Sequence, residues 1–285
     1  MGELDGRVAL ITGAARGMGR SHAVRLAEAG ADIIAVDICR QIEAVAAKLA
    51  SPEDLDETVR LVEATGRRVV ARQADVRDRS ALRAAVSDGV AELGRLDVVV
   101  ANAGTFAVRL DQPKDDAGRA EIWNVTLDVN LTGTWNTVEI TAPILIEAGR
   151  GGSIVIISST SALQTVANDD VAMTAYAVSK WGVTGLMKMA AGDLGKHGIR
   201  VNAVHPSGVN TPLTQSEAVR EYWNANPALA AHTAKVYLPV AEHDVSEAVL
   251  YLASDASKAV SGISLPVDAG SSVRWDHPGE SVSAG

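Results

Sequence analysis

Short apolar segments alternate with helical patterns along most of the chain, and this alternation constrains the fold more than any other feature. Several of these segments are rich in β-branched residues and apolar on both faces, as strands covered by helices on both sides are. The alternation predicts right-handed βαβ units and therefore an α/β fold, a doubly wound parallel sheet of about seven strands with helices on both faces. The predicted strands are residues 7–13, 31–37, 68–76, 96–104, 152–159, 199–206 and 263–270.

The composition is typical of a globular protein without affinity for polyanions. Of the 285 residues, 47% are hydrophobic and 21% are charged, which is enough for a sizeable core. We find no linker or repeat, so we predict one domain over residues 1–270 and a polar tail over 271–285. The net charge of −9 argues against nucleic acid and anionic membrane as partners.

The cysteine content and the absence of targeting patterns predict a cytoplasmic protein. Cys39 is the only cysteine, so no internal disulfide can form, and we interpret it as a small core residue. The first residues show no signal-peptide pattern, and no apolar run approaches the ~18 residues of a membrane span.

Two segments interrupt the regular alternation. Ser51 and Pro52 form a strong helix start that should end at Gly66, which leaves residues 38–50 as an insertion. Apolar residues repeat at helical spacing within it, so we predict a short amphipathic helical piece there. The second segment, residues 207–243, is long and rich in turn residues, as a substrate lid is. The insertion's apolar residues are Ile42, Val45, Ala46 and Leu49, and the lid's larger ones are Tyr222, Trp223, Leu229, Val236, Tyr237 and Leu238.

A glycine-rich loop joins the first predicted strand to the first helix and predicts a dinucleotide site. Glycines allow backbone amides at the helix N-terminus to approach a pyrophosphate closely, although glycines also mark ordinary turns. Asp37, at the end of the second strand, can accept both hydroxyls of the adenosine ribose and would repel a 2′-phosphate. Arg16 and Arg40 could accommodate that phosphate, but the place of Asp37 at the strand end favours NAD.

Tyr176 and Lys180 lie one turn apart on a predicted helix over residues 174–196. On a solvent-exposed helix face such a pair would have no catalytic function. Near a nicotinamide, the pair would take part in catalysis. An ammonium ~4 Å from a phenol, at an effective dielectric of about 20, favours the phenolate by about 4 kcal/mol. That preference would lower the pKa of tyrosine from ~10 by about three units, into the range of a general base.

Several motifs in the same order resemble the short-chain dehydrogenase/reductase family over residues 5–270. They are TGAARGMG, DV, NAG, DVNLTG, a serine closing the fifth strand, YAVSK, and VNT after the sixth strand. The resemblance implies a Rossmann-type sheet and NAD as cofactor. No cluster of His, Cys or acidic residues has metal-ligand spacing, so we predict no metal. The cofactor residues that the resemblance implies are Gly13, Arg16, Gly17, Met18, Gly19, Asp37, Ile38, Asp75, Val76, Asn102, Ala103, Gly104, Tyr176, Lys180, Pro206, Val209 and Thr211.

The same resemblance implies four catalytic residues. Ser159 would hold the substrate oxygen, and Tyr176 would take its proton as general base. Lys180 would bond the nicotinamide ribose, and Asn130 would hold a water that links Lys180 to solvent. The chain departs from the family in three places: Ala101 replaces an asparagine, Ser207 follows Pro206, and the Ser159–Tyr176 interval of seventeen residues is longer than usual. We interpret His205 as structural.

The insertion and its flanking motifs resemble one branch of the family, the carveol dehydrogenase-like proteins of mycobacteria and related actinobacteria. In that branch, which is associated with the redox carrier mycofactocin, the insertion is thought to cover the adenosine end of a retained NAD. Alternatively, residues 38–50 lengthen a surface helix or contact another subunit. The branch and the apolar lid suggest an apolar cyclic secondary alcohol as substrate, and the family suggests a homotetramer, to which Trp275 could contribute. The alternatives are a 3-oxoacyl carrier-protein reductase using NADPH and a non-catalytic dinucleotide sensor.

Overall fold

The computed structural model describes residues 2–108, 115–164, 170–227 and 240–273. Within them, seven parallel strands form one sheet in the order β3-β2-β1-β4-β5-β6-β7, which confirms the predicted fold class. The strand order reverses between β1 and β4, so a crevice opens there beyond the carboxyl ends of the strands. The strands are β1 Val8–Thr12, β2 Asp32–Asp37, β3 Val69–Gln73, β4 Val98–Ala101, β5 Gly152–Ile157, β6 Ile199–Pro206 and β7 Ser264–Val267.

The sheet is buried on both faces by helices. Alternate residues of β1 show this directly, because Ala9 and Ile11 belong to one apolar core and Val8 and Leu10 to the other. The first core lies against α1 and α8, and the second against α3, α5 and α6. The helices are α1 Gly17–Glu28, α2 Pro52–Glu63, α3 Arg79–Leu93, α4 Asp116–Leu127, α5 Gly133–Ala148, α6 Val171–Leu194, α7 Glu217–Ala225 and α8 Glu242–Ala253.

The start of α2 is the predicted one. Ser51 accepts a hydrogen bond from the Asp54 amide at 3.4 Å, and its own amide donates to the Asp54 carboxylate at 2.9 Å. This reciprocal capping satisfies two amides that a helix start otherwise leaves unpaired. The last turn ends just before Gly66, whose φ of +80° suits a residue without a Cβ.

The predicted helical piece in residues 38–50 is wrong, because the segment is an irregular loop. The side chain of Gln41 explains the difference. Its amide nitrogen donates to the carbonyls of Val45 at 2.5 Å and Ala47 at 3.2 Å, while its oxygen accepts from the Leu49 amide at 3.0 Å. A side chain therefore holds the backbone groups that a helix would have paired with each other.

The loop still buries apolar side chains, but against a third cluster that sequence periodicity does not reveal. Ala44, Val45 and Ala47 pack with Phe106 and with residues of α4, α6 and α7. Because the insertion follows β2 and Phe106 follows β4, this cluster lies at the carboxyl end of the sheet, beside the crevice. The apolar cluster thus contacts both the insertion and the lid helix α7.

Several predictions fall outside the described residues. Leu229, Val236, Tyr237, Leu238 and Trp275 are among them, as are most of the tail and residues 165–169 of the lengthened Ser159–Tyr176 interval. The single domain over residues 1–270 therefore stays a prediction. In the part of the chain that the structure describes, no helix combines the length and the apolar character needed to cross a membrane.

Candidate active site

The glycine-rich loop lies between β1 and α1 and approaches the β4 end too closely for larger residues. A Cβ on Gly13, whose φ is +68°, would lie 2.9 Å from the Ala103 Cα. A Cβ on Gly19 would lie 1.9 Å from the Gly13 carbonyl oxygen, which no packing change can accommodate. The amides at the start of α1 are therefore held facing the cleft, as a pyrophosphate requires.

Asp37 ends β2 and lines the same cleft, with only 7% of its surface exposed. Its carboxylate accepts hydrogen bonds from the Ala15 amide at 2.9 Å and the Cys39 amide at 3.1 Å. These two amides fix the carboxylate beside the loop, where ribose hydroxyls could donate to it. The fit to a dinucleotide carrying free ribose hydroxyls is therefore good.

The two arginines that could have held a 2′-phosphate are engaged with the protein. The Arg16 guanidinium donates to the Lys48 carbonyl of the insertion, and Arg40 forms an ion pair with Asp75 at 3.2 Å. Arg77 pairs with the same carboxylate at 2.7 Å. Burial raises the pKa of Asp75, but the hydrogen bonds and charges of the two arginines outweigh it and leave that pKa below its usual value. Arg16 instead fastens the insertion to the phosphate loop.

The nucleotide cleft encloses about 910 Å³, a volume that includes space open to solvent. Residues of the insertion line it beside the predicted ones, namely Ile42, Leu49 and Ala50. Of the predicted cofactor residues, those that line the cleft are Gly13, Arg16, Gly17, Met18, Gly19, Asp37, Ile38, Asp75, Val76, Asn102, Ala103, Gly104 and Thr211. Tyr176, Pro206 and Val209 line a second, adjoining pocket that also includes Met18 and Thr211.

Three predicted catalytic side chains meet between β5 and α6. Ser159 and Tyr176 line the same pocket, with the Ser159 hydroxyl near enough to the phenol to favour its ionised form. The Lys180 ammonium lies 5.6 Å from the centre of the Tyr176 ring and donates to the Ile157 carbonyl at 3.0 Å. Lys180 is 5% exposed. Its Nζ lies beside Gly104, 3.5 Å from the position that a Cβ on this glycine would take. Because Gly104 lines the nucleotide cleft, Lys180 lies directly behind that wall of the cleft.

Burial dominates the acid–base properties of this group. It lowers the pKa of Lys180 from 10.5 to about 8, because the ammonium loses its hydration. It raises the pKa of Tyr176, and the hydrogen bond with Ser159 opposes the rise. The lowering of the Tyr176 pKa by Lys180 together with a nicotinamide therefore stays a prediction. Desolvation of the phenol outweighs the distant ammonium, so further positive charge is needed beside the ring.

Asn130 lies in a π-helical turn, Asp128–Thr132, that interrupts the helix between α4 and α5. Its side-chain oxygen accepts from the Thr105 amide at 2.7 Å, and its nitrogen donates to the Ser179 hydroxyl at 3.1 Å. Ser179 in turn donates to the Tyr176 carbonyl at 2.7 Å. Asn130 thus joins the residues after β4 to the turn of α6 that carries Tyr176. Short π-helical segments within helices often occur at functional sites.

His205 and Ser207 flank Pro206 at the end of β6. His205 is fully buried, its Nδ1 lies 2.9 Å from the Ser159 carbonyl, and burial lowers its pKa, which supports a structural role in holding Ser159. Ser207 lines the second pocket, and its buried hydroxyl has no hydrogen-bond partner among the described residues.

The second pocket encloses about 1080 Å³, including space open to solvent, and has a mostly apolar wall. Phe106 and Met173 form part of that wall, and Val219 and Trp223 of α7 form another part. Ser159 and Tyr176 line the same pocket, so a bound molecule can reach both hydroxyls. Phe106 was missed by the sequence analysis. Its place two residues after the NAG motif was the available signal.

The described residues hold no group of three or more His, Cys, Asp or Glu side chains arranged as metal ligands. Cys39 is buried beside Asp37, and burial raises the pKa of its thiol to about 12, which keeps the thiol protonated and unreactive.

Comparison with known proteins places this geometry in a family. Residues 13–272 match the family described as enoyl-(acyl carrier protein) reductase. A short-chain dehydrogenase from Mycobacterium paratuberculosis bound to NAD is 48% identical, with a TM-score of 0.86 over 96% of this chain and 100% of that chain. Carveol dehydrogenase from Mycobacterium avium in complex with NAD is 45% identical with the same TM-score and coverage. The (-)-trans-carveol dehydrogenase of Rhodococcus erythropolis is 40% identical over 96% of this chain and 100% of its own length.

Proposed function

The chain belongs to the short-chain dehydrogenase/reductase family and is an NAD-dependent oxidoreductase, and from that premise we propose that it interconverts an apolar cyclic secondary alcohol and its ketone. One observation carries the proposal: Tyr176 lines an apolar pocket, while Lys180 lies behind it at the nucleotide cleft. A carveol-like ring suits that pocket because Phe106, Met173 and Trp223 provide apolar contact surface.

Four residues would perform the reaction. Ser159 holds the substrate oxygen by a hydrogen bond, and Tyr176 removes the hydroxyl proton as general base. NAD supplies, when bound, the acceptor for the carbinol hydride and a positive charge beside the phenol. Lys180 adds its ammonium and bonds the nicotinamide ribose. Asn130 holds a water that returns the proton between Lys180 and solvent.

Other residues would bind the cofactor along the cleft. The loop glycines and the start of α1 would hold the pyrophosphate, and Asp37 would hold the adenosine ribose. Asp75 and Val76 would contact the adenine, and Asn102, Ala103 and Gly104 would line its path to the catalytic group. At the far end, the β6 loop would hold the nicotinamide carboxamide through Pro206, Val209 and Thr211.

We propose further that the bound NAD is retained and reoxidised in place by an external carrier such as mycofactocin. Ile42 and Leu49 of the insertion line the cleft, and the Arg16–Lys48 hydrogen bond fastens the insertion over the phosphate loop. Gln41 holds the loop in shape by its three bonds to Val45, Ala47 and Leu49, so a nucleotide would leave only after this loop opened.

Mass spectrometry of nucleotide released from the purified protein tests retention. We expect close to one NAD per chain, and we expect Gln41→Ala to lose most of it during gel filtration. Gln215→Ala is the matched control, because it removes the same amide at an exposed position. Protein that carries no NAD and turns over freely with added NAD would contradict retention but would leave the dehydrogenase assignment intact.

A panel of cyclic secondary alcohols, assayed with and without an artificial electron acceptor, tests the activity. The competing function is a 3-oxoacyl carrier-protein reductase using NADPH. Asp37 in the cleft, the engaged Arg16 and Arg40, and the net charge of −9 all disfavour it. A non-catalytic sensor would not need the Ser159–Tyr176–Lys180 group. Reduction of a 3-oxoacyl substrate with NADPH at a higher kcat/KM than any cyclic alcohol would favour the reductase.

We propose a cytoplasmic homotetramer. Large apolar side chains are exposed on the outer faces of α5 and α6 and would be covered by a second copy. They are Trp135, Val178, Trp181 and Met189. Light scattering coupled to gel filtration measures the mass directly, and a mass of one chain would refute this assembly.

A further inference from the structure

One hydrogen bond joins the lid helix α7 to the start of the catalytic helix α6. The Tyr222 hydroxyl donates to the Asp170 carboxylate at 2.8 Å. Tyr222 is 4% exposed, and both its burial and the nearby carboxylate raise the pKa of its phenol, so the donor stays protonated. A charged acceptor makes this bond stronger than an ordinary one between neutral groups.

Asp170 is also the N-cap of α6. The same carboxylate oxygen accepts from the Met173 amide at 2.8 Å, and the Asp170 carbonyl accepts from the Thr174 hydroxyl at 2.7 Å. Tyr176 follows on the next turn of this helix. Asp170 belongs to the lengthened stretch between Ser159 and Tyr176. The carboxylate that accepts the hydrogen bond from the lid helix therefore lies in this stretch.

Aromatic contacts connect Tyr222 to the active site by a second route. The Tyr222 ring meets Phe106 edge-on with centroids 5.2 Å apart, and Phe106 meets Tyr176 in the same way at 5.3 Å. Trp223 stacks on Phe106 at 5.9 Å. Phe106 and Trp223 line the substrate pocket, whereas Tyr222 lies behind them and is not part of its lining.

We propose that Tyr222 is a positioning residue whose hydrogen bond to Asp170 latches α7 onto the first turn of α6 and holds Phe106 and Trp223 as the wall of the substrate pocket. The latch determines the recognition of ring-sized substrates, because these need the wall in place, whereas a small open-chain alcohol touches little of it. This second statement rests on the proposed function, but the existence of the latch does not.

Hydrogen–deuterium exchange of full-length protein tests the latch itself. We expect Tyr222→Phe to speed exchange in residues 217–225 about tenfold, since the bond to a charged group is lost. Asp170→Ser should do the same while keeping the start of α6 protected, because serine still caps a helix but is too short to reach Tyr222. Asp170→Asn keeps an oxygen that can accept both hydrogen bonds, so exchange in residues 217–225 should stay as slow as in the wild type. Tyr251→Phe, at an exposed tyrosine of α8, is the matched control.

Kinetics test what the latch does. In Tyr222→Phe we expect KM for a cyclic secondary alcohol to rise about tenfold, with kcat changed much less, and kcat/KM for 2-propanol to fall far less than that for the ring. Unchanged exchange in residues 217–225 of Tyr222→Phe overturns the latch. Equal losses for the ring and for 2-propanol overturn its role in recognition. A wild-type protein that oxidises no cyclic alcohol contradicts the proposed function instead, and the exchange measurement still decides the latch.

Discussion

Lys180→Met removes a buried ammonium group that the fold solvates poorly. The pKa of Lys180 falls from 10.5 to about 8 on burial, which corresponds to about 3 kcal/mol of folding free energy lost at neutral pH. Methionine has nearly the same shape and no charge. It also leaves the Ile157 carbonyl without the Lys180 donor, at a cost of about 1–3 kcal/mol. The difference between the burial penalty removed and the cost of the unpaired carbonyl predicts that Lys180→Met is as stable as the wild type or more stable by up to about 2 kcal/mol. The variant should nevertheless lose its activity.

The pH dependence makes this prediction sharper. Between pH 8 and 10.5 the unfolded chain holds a proton on Lys180 that the folded chain does not, so wild-type stability rises with pH across this window. Below pH 8 both states hold the proton and the penalty is constant. The stability advantage of Lys180→Met should therefore decrease by about 3 kcal/mol as pH rises from 8 to 10.5.

Urea unfolding from pH 7 to 10.5 measures both effects. All variants are compared free of nucleotide and at one protein concentration, because a bound ligand or a partner subunit would add to stability. Lys196→Met is the matched control, since it removes an exposed lysine at the end of the same helical segment. A Lys180→Met difference that stays constant with pH would refute the assignment of Lys180 as a desolvated ammonium.

Three further predictions concern the same site. Tyr176→Phe should lower kcat for alcohol oxidation at least a thousandfold, measured with NAD at saturation. In the wild type, burial raises the pKa of Tyr176, so kcat for alcohol oxidation should increase with pH and kcat for ketone reduction should decrease; a flat profile in both directions would contradict the role of base. Gly19→Ala places a Cβ 1.9 Å from the Gly13 carbonyl oxygen, so calorimetric titration of protein freed of its nucleotide should detect no NAD binding, whereas Gly185→Ala, with open space around its Cβ, should bind NAD as the wild type does.

Features that depend on neighbours in the chain were predicted well. The strands of the sheet lie inside the predicted runs, and α2 begins at Pro52 as its capping residues indicate. The glycine-rich loop and the Tyr176–Lys180 spacing also follow from local geometry. In each case, the interacting groups lie within a few residues of one another, so their pattern can be read directly along the sequence.

The insertion shows where local patterns fail. Its apolar spacing suits a helix, but the Gln41 side chain and packing against the Phe106 cluster stabilise an irregular loop instead. The burial that raises the pKa of Tyr176 was also beyond the sequence, because it depends on how distant helices and strands pack around the ring. Neither outcome could be obtained from spacing alone.

The sequence by itself determined the order of strands and helices along the chain, the place of the glycine-rich loop and the Tyr176–Lys180 spacing, because these depend on periodicity and short-range spacing. Only the tertiary structure decided which distant groups meet. Arg16 reaches Lys48 across 32 positions, Tyr222 reaches Asp170 across 52, and Phe106 comes between Tyr176 and Trp223. Such contacts form only after the chain has folded around its two cores, since it is the packing of whole helices and strands that sets their distances.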